Sequence, residues 1–437
     1  MKSLTLLLLP LLLVLPVTSA TQVSGDTYAI ANSDQAVFTD AVVVNNTVYF
    51  LMSSAIYSFN LTSKEIHKIF DTGFNYILTS IIFTGTNFYV SGYKVYKSSV
   101  DSGGDGFTPV VTCPLPVQYY NIDNITVWQL NKNFAVQKSI VSDAIKLKNI
   151  SYFYAIQASK LFNVNSTLYL AVFDATTDNT ATFRILQVDF TNDSFTTKLQ
   201  INKKIIDAAS AYGGKWILLD DSNTLYFYSE SFQQEDTYTD SQYNLRIKSL
   251  YADKDYVYLA GRGYDGGAWG AALEIISYSK ALIYYRQFDD YQFYSVYAAD
   301  KYAIVAEDNT LYAIDYANNT ITYEYSNTLT QVYDMKTEDF VDIHNDGPHS
   351  ITIATWNSNG NLSFAWGGFY TDDNFLYAYM ILTDKPSSIP FNPGDSGSGY
   401  IPYSLNDLWT RYKWYILLGG GLLLLIILSG GSKKEVR

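Results

Sequence analysis

A short unit recurs along this chain: a small polar pair, an apolar and aromatic run, a tight turn, and a second such run. It is visible in the stretches that begin at Asn46, Thr86, Ser166, Gly214, Asp255, Lys301 and Ser350. Aligning the central position of the first run gives Tyr49, Tyr89, Tyr169, Ile217, Tyr258, Ile304 and Ile353, at intervals of 40, 80, 48, 41, 46 and 49 residues. The interval of 80 is a double step with Trp128 near its middle, which makes eight units. Between Ala20 and the C-terminal apolar run, no long stretch carries apolar residues at helical spacing. Alternating runs of Tyr, Val, Ile, Phe and Thr, divided by Asn, Asp and Gly, read as strands and tight turns.

A period of about 40 to 50 residues with several strands per unit predicts an all-β chain, a β-propeller of seven or eight four-stranded blades, with eight favoured by the count. Each blade presents apolar faces that only its neighbours can cover, so closing the ring buries them and leaves short edges. The stretch from Lys301 to Tyr325, with Leu311-Tyr312-Ala313-Ile314-Asp315 followed by Asn318-Asn319-Thr320, resembles the pyrroloquinoline-quinone-type propeller repeat. That resemblance implies the fold and not the cofactor, because the regular Trp and Gly positions of the family are missing.

The two ends carry address signals. Lys2, an apolar run from Leu4 to Val17 and Thr18-Ser19-Ala20 read as a secretory signal peptide over residues 1–20. Residues 413–431 form an apolar run with Trp414 and Tyr415 at its start and Lys433, Lys434 and Arg437 after it. That length suffices to cross a bilayer core of roughly 30 Å as one transmembrane helix, with its basic end in the cytoplasm. Residues 385–412, rich in Pro, Gly and Ser, read as a stalk between the 21–384 ectodomain and the membrane, and 432–437 as a short cytoplasmic tail. The expected location is the cell membrane, single-pass, with the N-terminal domain outside.

Charge narrows the partners. The whole chain carries −13, and taking away Lys2 and the net +2 of Lys433, Lys434, Glu435 and Arg437 lowers the outer part to −16. Such a surface excludes nucleic acid, whose phosphates need clustered Lys and Arg. A lone Cys113 excludes an internal disulfide framework and a cysteine-built metal centre. Low Cys, Lys above Arg, abundant Tyr and many sequons resemble the cell-surface glycoproteins of thermophilic archaea.

Candidate chemistry is sparse. Eight Asn-x-Ser/Thr triplets, at Asn45, Asn60, Asn124, Asn149, Asn165, Asn192, Asn318 and Asn361, are glycan acceptors if the chain is exported. Asp342-Ile343-His344-Asn345-Asp346-Gly347 resembles the integrin-type FG-GAP calcium loop, in which oxygens at alternate positions wrap a hard cation. That likeness makes Asp342 and Asp346 the candidate calcium ligands, with His344 and Ser350 standing where further oxygens belong. No other cofactor is implied. The three histidines make no catalytic set, and neither a nucleophile elbow nor a phosphate loop is present. Gly261 to Gly270 reads as a long blade loop whose Arg, Tyr, Asp and Trp could line a ligand mouth. The doublets Asp220-Asp221, Asp289-Asp290 and Asp372-Asp373 are the carboxylates that a glycoside hydrolase would need.

The expected function is a membrane-anchored extracellular binding or scaffold module for an envelope protein or a glycan, with no catalytic residues. The alternatives are an exported carboxylate-dependent hydrolase and a virion surface attachment protein.

Overall fold

A computed structural model gives the fold. It describes residues 27–384 except 33–37, 46, 53, 61–62, 64, 74–75, 98–118, 152–157, 174–180, 211–212, 266, 300–301, 308–309, 327–330, 335–338, 343–351, 359–360 and 373–374. The signal peptide, stalk, C-terminal apolar run and tail lie outside these residues, as do Asp346, His344 and His349. Among the described residues no helix is long and apolar enough to cross a membrane.

After β1 (Thr27–Asn32) the strands come in groups of four. Blade 1 is β2 (Phe38–Val44), β3 (Thr47–Met52), β4 (Ala55–Asn60) and β5 (Ile66–Asp71). Blade 2 is β6 (Tyr76–Phe83), β7 (Phe88–Lys97), β8 (Tyr119–Leu130) and β9 (Val136–Ser151). Blade 3 is β10 (Ser159–Val164), β11 (Thr167–Phe173), β12 (Phe183–Asp189) and β13 (Ser194–Ile201). Blade 4 is β14 (Ile205–Ser210), β15 (Trp216–Asp220), β16 (Leu225–Tyr228) and β17 (Gln234–Tyr238). Blade 5 is β18 (Arg246–Ala252), β19 (Tyr256–Asp265), β20 (Ala268–Ser277) and β21 (Leu282–Gln287). Blade 6 is β22 (Ser295–Ala299), β23 (Tyr302–Ala306), β24 (Thr310–Asp315) and β25 (Thr320–Ser326). The rest are β26 (Gln331–Asp334), β27 (Asp339–Asp342), β28 (Thr352–Ser358), β29 (Asn361–Asp372) and β30 (Phe375–Asp384).

Each four-stranded sheet keeps its strands in chain order, and the paired strands run antiparallel. The first strands of successive blades lie side by side, β2 by β6, β6 by β10, β14 by β18 and β18 by β22. A sheet of another make stands between β22 and β2: six strands in the order β27-β26-β1-β30-β29-β28, with β28 beside both. It joins the N-terminal strand to the last hairpin, antiparallel between β1 and β30 and parallel between β1 and β26.

The protein is thus an all-β propeller with six four-stranded antiparallel blades, which corrects the expected seven or eight. Two units were misassigned. Trp128 sits on β8 directly opposite Val90 of β7, so it belongs to the third strand of the blade whose second strand carries Tyr89 and is not a unit of its own. Ile353 lies on β28, in the six-stranded sheet. A strand pair as long as β8 and β9 carries as many apolar residues as a whole unit elsewhere, and the period cannot separate the two.

The core consists of the surfaces between blades. In β15 every residue is buried, yet the residues divide by parity. Trp216 and Leu218 join Phe162, Phe183 and Ile185 of blade 3, whereas Ile217 and Leu219 join Ile247, Leu250 and Leu259 of blade 5. Alternation along a strand sends successive side chains to opposite faces, so one strand feeds two cores and reads as a continuous apolar run. Trp216, 1% exposed, meets Phe162 and Tyr169 edge-on at 5.2 and 5.3 Å and stacks on Phe232. Trp216→Ala should therefore cost about 3–5 kcal/mol, and Ile217→Val about 0.5–1.5 kcal/mol, read as shifts in denaturant midpoint. Equal small shifts for both would show that the interblade surfaces are not the core.

Candidate functional site

The first strands enclose a cavity of about 260 Å³ lined by Asp40, Thr79, Lys160, Asp207, Tyr251 and Tyr297 among others. The register explains why polar groups gather there. Ser80, Lys160, Asp207, Ser249 and Ser295 each pair with the residue two places beyond the aligned position of the next strand: Ser91, Ala171, Leu219, Ala260 and Ala306. Asp40 takes the same place in β2, where the register slips between Phe38 and Ala41. In sequence these residues stand nine places before Tyr49, Tyr89, Tyr169, Tyr258 and Ile304, and ten before Ile217. That offset of nine or ten residues could have located the ring, and sequence reasoning missed it.

Most of these groups are engaged in joining blades. Asp40 Oδ2 accepts hydrogen bonds from Ser80 Oγ and the Ile81 N–H, both at 2.9 Å, while Oδ1 accepts from the Ala41 N–H. Asp207 repeats the device, Oδ2 accepting from the Leu250 N–H of the next blade at 2.8 Å and Oδ1 from the Ala208 N–H. Ser249 Oγ accepts from the Val296 N–H in turn. Lys160 Nζ, on blade 3, pairs with Asp207 at 3.2 Å and donates to the Ala208 carbonyl of blade 4. Asp40 is only partly covered, but removal from water pushes its carboxyl up, against the pull of the Ile81 N–H, Ser80 and Ala41 bonds and of Lys160. Burial likewise raises the phenols of Tyr251 and Tyr297, whose rings lie 4.6 Å apart. Ser295 Oγ is the lining hydroxyl that is buried without a hydrogen-bond partner among the described residues.

The aspartate doublets do not line this cavity. Asp220 closes the β15–β16 turn, accepting from the Ser222 and Thr224 N–H groups and from the Tyr226 hydroxyl, and Asp221 faces Lys204 at 3.9 Å. Asp290 accepts from the Tyr312 hydroxyl at 2.6 Å. Asp372 pairs with Phe375 at the turn between β29 and β30, and Asp373 lies outside the described residues. Of the calcium pair, Asp342 closes β27 opposite Gln331, and Asp346 is outside. No cluster of three His, Cys, Asp or Glu suited to a metal occurs among the described residues. His67 is on β5, 3.8 Å from Glu65, at the rim of a shallow hollow with Tyr49, Lys132 and Phe134.

The sequons divide by setting. Asn45, Asn165, Asn192 and Asn318 are exposed in tight turns between strands, whereas Asn60, Asn124, Asn149 and Asn361 lie within strands. Asn165 and Ser166 form the two-residue β10–β11 turn, both with positive φ, the conformation a type I′ hairpin demands.

Gly261 to Gly270 is not the expected long loop: β19 and β20 run through it as a hairpin. Its glycines allow close approach, for a Cβ at Gly261 would lie 2.0 Å from the Arg246 carbonyl oxygen and one at Gly263 would lie 2.5 Å from the Tyr285 hydroxyl. The hairpin brings Arg262 directly opposite Arg246 of β18. Their guanidinium carbons lie 5.7 and 4.6 Å from the Trp269 ring centre, and Arg262 also lies 4.2 Å from that of Tyr291. Tyr264 packs on Trp269 at 5.4 Å. Neither arginine forms an ion pair with a carboxylate among the described residues, and Arg262 Nε is buried without a hydrogen-bond partner there. Tyr291, 59% exposed, and Tyr264, 39% exposed, flank the group. Arg262, Tyr264 and Trp269 are residues the sequence offered as a ligand mouth; Arg246 was missed, because its membership depends on strand register.

Blade 5 also holds a titrating carboxyl. Glu274 on β20 is fully buried and accepts a hydrogen bond from the Tyr238 hydroxyl of blade 4. Burial pushes it up from 4.5 to about 7, with Asp240 adding to the rise and Tyr238 opposing it. The folded chain therefore holds this proton more tightly than the unfolded one, and stability falls as pH climbs from about 4.5 to about 7. Glu274→Gln should match the parent in unfolding free energy at pH 4.5 and exceed it at pH 8 by about 3 kcal/mol at most. A difference between parent and variant that did not grow between pH 4.5 and pH 8 would contradict the assignment.

No family model matches the chain, and no curated protein does. Among solved structures, it is similar to a chain of the crystal structure of a mitotic checkpoint complex, at 11% identity and a TM-score of 0.43, over 83% of this chain and 91% of that one. At that score and identity the likeness carries nothing about function, and the propeller is read from the strand pairing itself.

Proposed function

We propose that the chain is an exported, membrane-anchored propeller that works by binding an envelope protein or a glycan, without catalysis. The observation that carries this reading is the contrast between its two candidate regions. In the axial cavity, Asp40, Lys160 and Asp207 are taken up by bonds that join blades. On blade 5, Arg246 and Arg262 present charge and donors beside exposed aromatic rings, with no carboxylate among the described residues to neutralise them. Groups left unpaired at a surface are what a partner recognises, and aromatic residues with Arg are the side chains that dominate binding hot spots.

The leader over 1–20, the stalk over 385–412 and the span over 413–431 place this surface outside the cell in the proposed arrangement, with −16 on the outer part and glycans on the exposed turn residues Asn45, Asn165, Asn192 and Asn318. Calcium held through Asp342 and Asp346 belongs to the same proposal as a structural ion. The test is cross-linking on intact source cells, then purification of the full-length protein and mass spectrometry of what stays attached. One dominant envelope protein or glycan is expected. Glycoside hydrolysis by the purified chain, lost on an aspartate substitution, would overturn the binding reading in favour of an enzyme.

A further inference from the structure

The chain contains six arginines, and three of them, Arg246, Arg262 and Arg286, lie on strands of blade 5. Two of those three face each other across the β18–β19 ladder. Like charges directly opposite on a sheet repel, and the repulsion is tolerated where something negative sits between or above them. Among the described residues no carboxylate fills that role, although the chain has 42 Asp and Glu to draw on. The strand acid of blade 5 described above, Glu274, is buried and bonded to Tyr238 of blade 4. What surrounds the arginines instead is aromatic: Trp269 beneath both, Tyr291 against Arg262, and Tyr264 against Trp269.

Resting on the binding reading above, we propose that this surface is a receptor for an acidic saccharide, a chain of uronic-acid type whose carboxylate lies on the Arg246–Arg262 pair and whose ring lies on the flanking aromatic faces. The guanidinium fork matches a carboxylate with two parallel N–H···O bonds, and the second arginine makes the pocket doubly cationic. Trp269, Tyr264 and Tyr291 offer flat apolar faces, and the tyrosines add hydroxyl tips, which suits the apolar C–H face and polar rim of a pyranose ring. An acidic peptide fits less well. Arg262 is on β19, held between β18 and β20, so no free strand edge is available beside it for a peptide to extend the sheet. The surrounding charge of −16 also repels a long acidic chain, so the site selects a short run or a terminal residue that reaches the arginines alone.

The experiment uses the full-length protein in detergent, titrated calorimetrically with trigalacturonate, with its methyl ester, and with tetraglutamate. Trigalacturonate should bind, and neutralising its carboxylates as methyl esters should weaken binding at least about tenfold, the scale of one charge-assisted pair. Arg246→Gln, at an exposed position, should reproduce that loss without a change in melting temperature, and Arg262→Gln should do so as a second variant. Raising the salt from 50 to 500 mM should weaken the acid and leave any ester binding unmoved. Equal binding of acid and ester would overturn the acidic-sugar assignment while leaving a glycan-binding function in place. Tighter binding of tetraglutamate would overturn it in favour of a peptide. No binding of any probe would overturn it outright, and the cross-linking result would still decide the binding reading by itself.

Discussion

Burial between blades is the interaction on which everything else depends. A single blade of this chain has two apolar faces and no means of covering either, because alternate residues of the same strand point to opposite sides: Trp216 and Leu218 one way, Ile217 and Leu219 the other. The same division recurs where Ile77, Tyr93 and Val127 of blade 2 meet Leu161, Leu170 and Leu186 of blade 3, and where Tyr258, Leu273 and Ile275 of blade 5 meet Ala303, Val305 and Ile314 of blade 6. A fold stabilised this way is satisfied only when the ring closes, since any open end would expose a whole face to water. Closure falls to the six-stranded sheet, in which β1 and β30, the first and last strands among the described residues, pair in one hydrogen-bonded ladder.

Polar chemistry is subordinate to that arrangement. The inner strands must approach one another at the axis, where backbone N–H groups of one blade face the side chains of the next. Asp40, Asp207 and Ser249 each accept from such an N–H, and the register slips in β2, β14 and β18 turn these side chains toward the following blade. The hydroxyls of Thr79, Ser91 and Ser159 form a similar buried bridge between blades 2 and 3. A charged cavity at a propeller's axis invites a catalytic reading, but here Asp40, Lys160 and Asp207 are engaged in bonds that join blades.

The sequence made the architecture legible because its strongest signal, the recurring apolar strand, is the element that the interblade cores require. It overcounted where that signal has two sources: the Trp128 strand is as apolar as a blade opener because it is buried between blades 1 and 2. The turn aspartates were legible in kind. Asp189 and Asp315 each cap a turn that ends in a sequon asparagine, accepting from the backbone and side-chain amides of Asn192 and Asn318, so the acidic composition follows from turn construction. Register was not legible, and with it went the inner ring and the role of Arg246. Glycine-rich sequence from Gly261 onward reads as a loop by composition, yet the glycines are there because another strand's carbonyl and a tyrosine hydroxyl occupy the space of a Cβ.

Those same glycines connect the scaffold to the surface it carries. With no Cβ at Gly261, β19 can close on β18 tightly enough to set Arg262 opposite Arg246, and with none at Gly263 it can lie against Tyr285, which stacks on Tyr243 at 3.5 Å. The hairpin is thus fixed from behind by aromatic packing while its front holds two arginines and Trp269. A rigid, preorganised cationic surface loses little conformational freedom on meeting a ligand. On a chain that is acidic as a whole, such a surface is also the place where long-range repulsion of an anion gives way to attraction at short range, so selectivity is set by how far a negative group can reach. The features that make blade 5 pack well and those that make it recognisable come from one stretch of sequence.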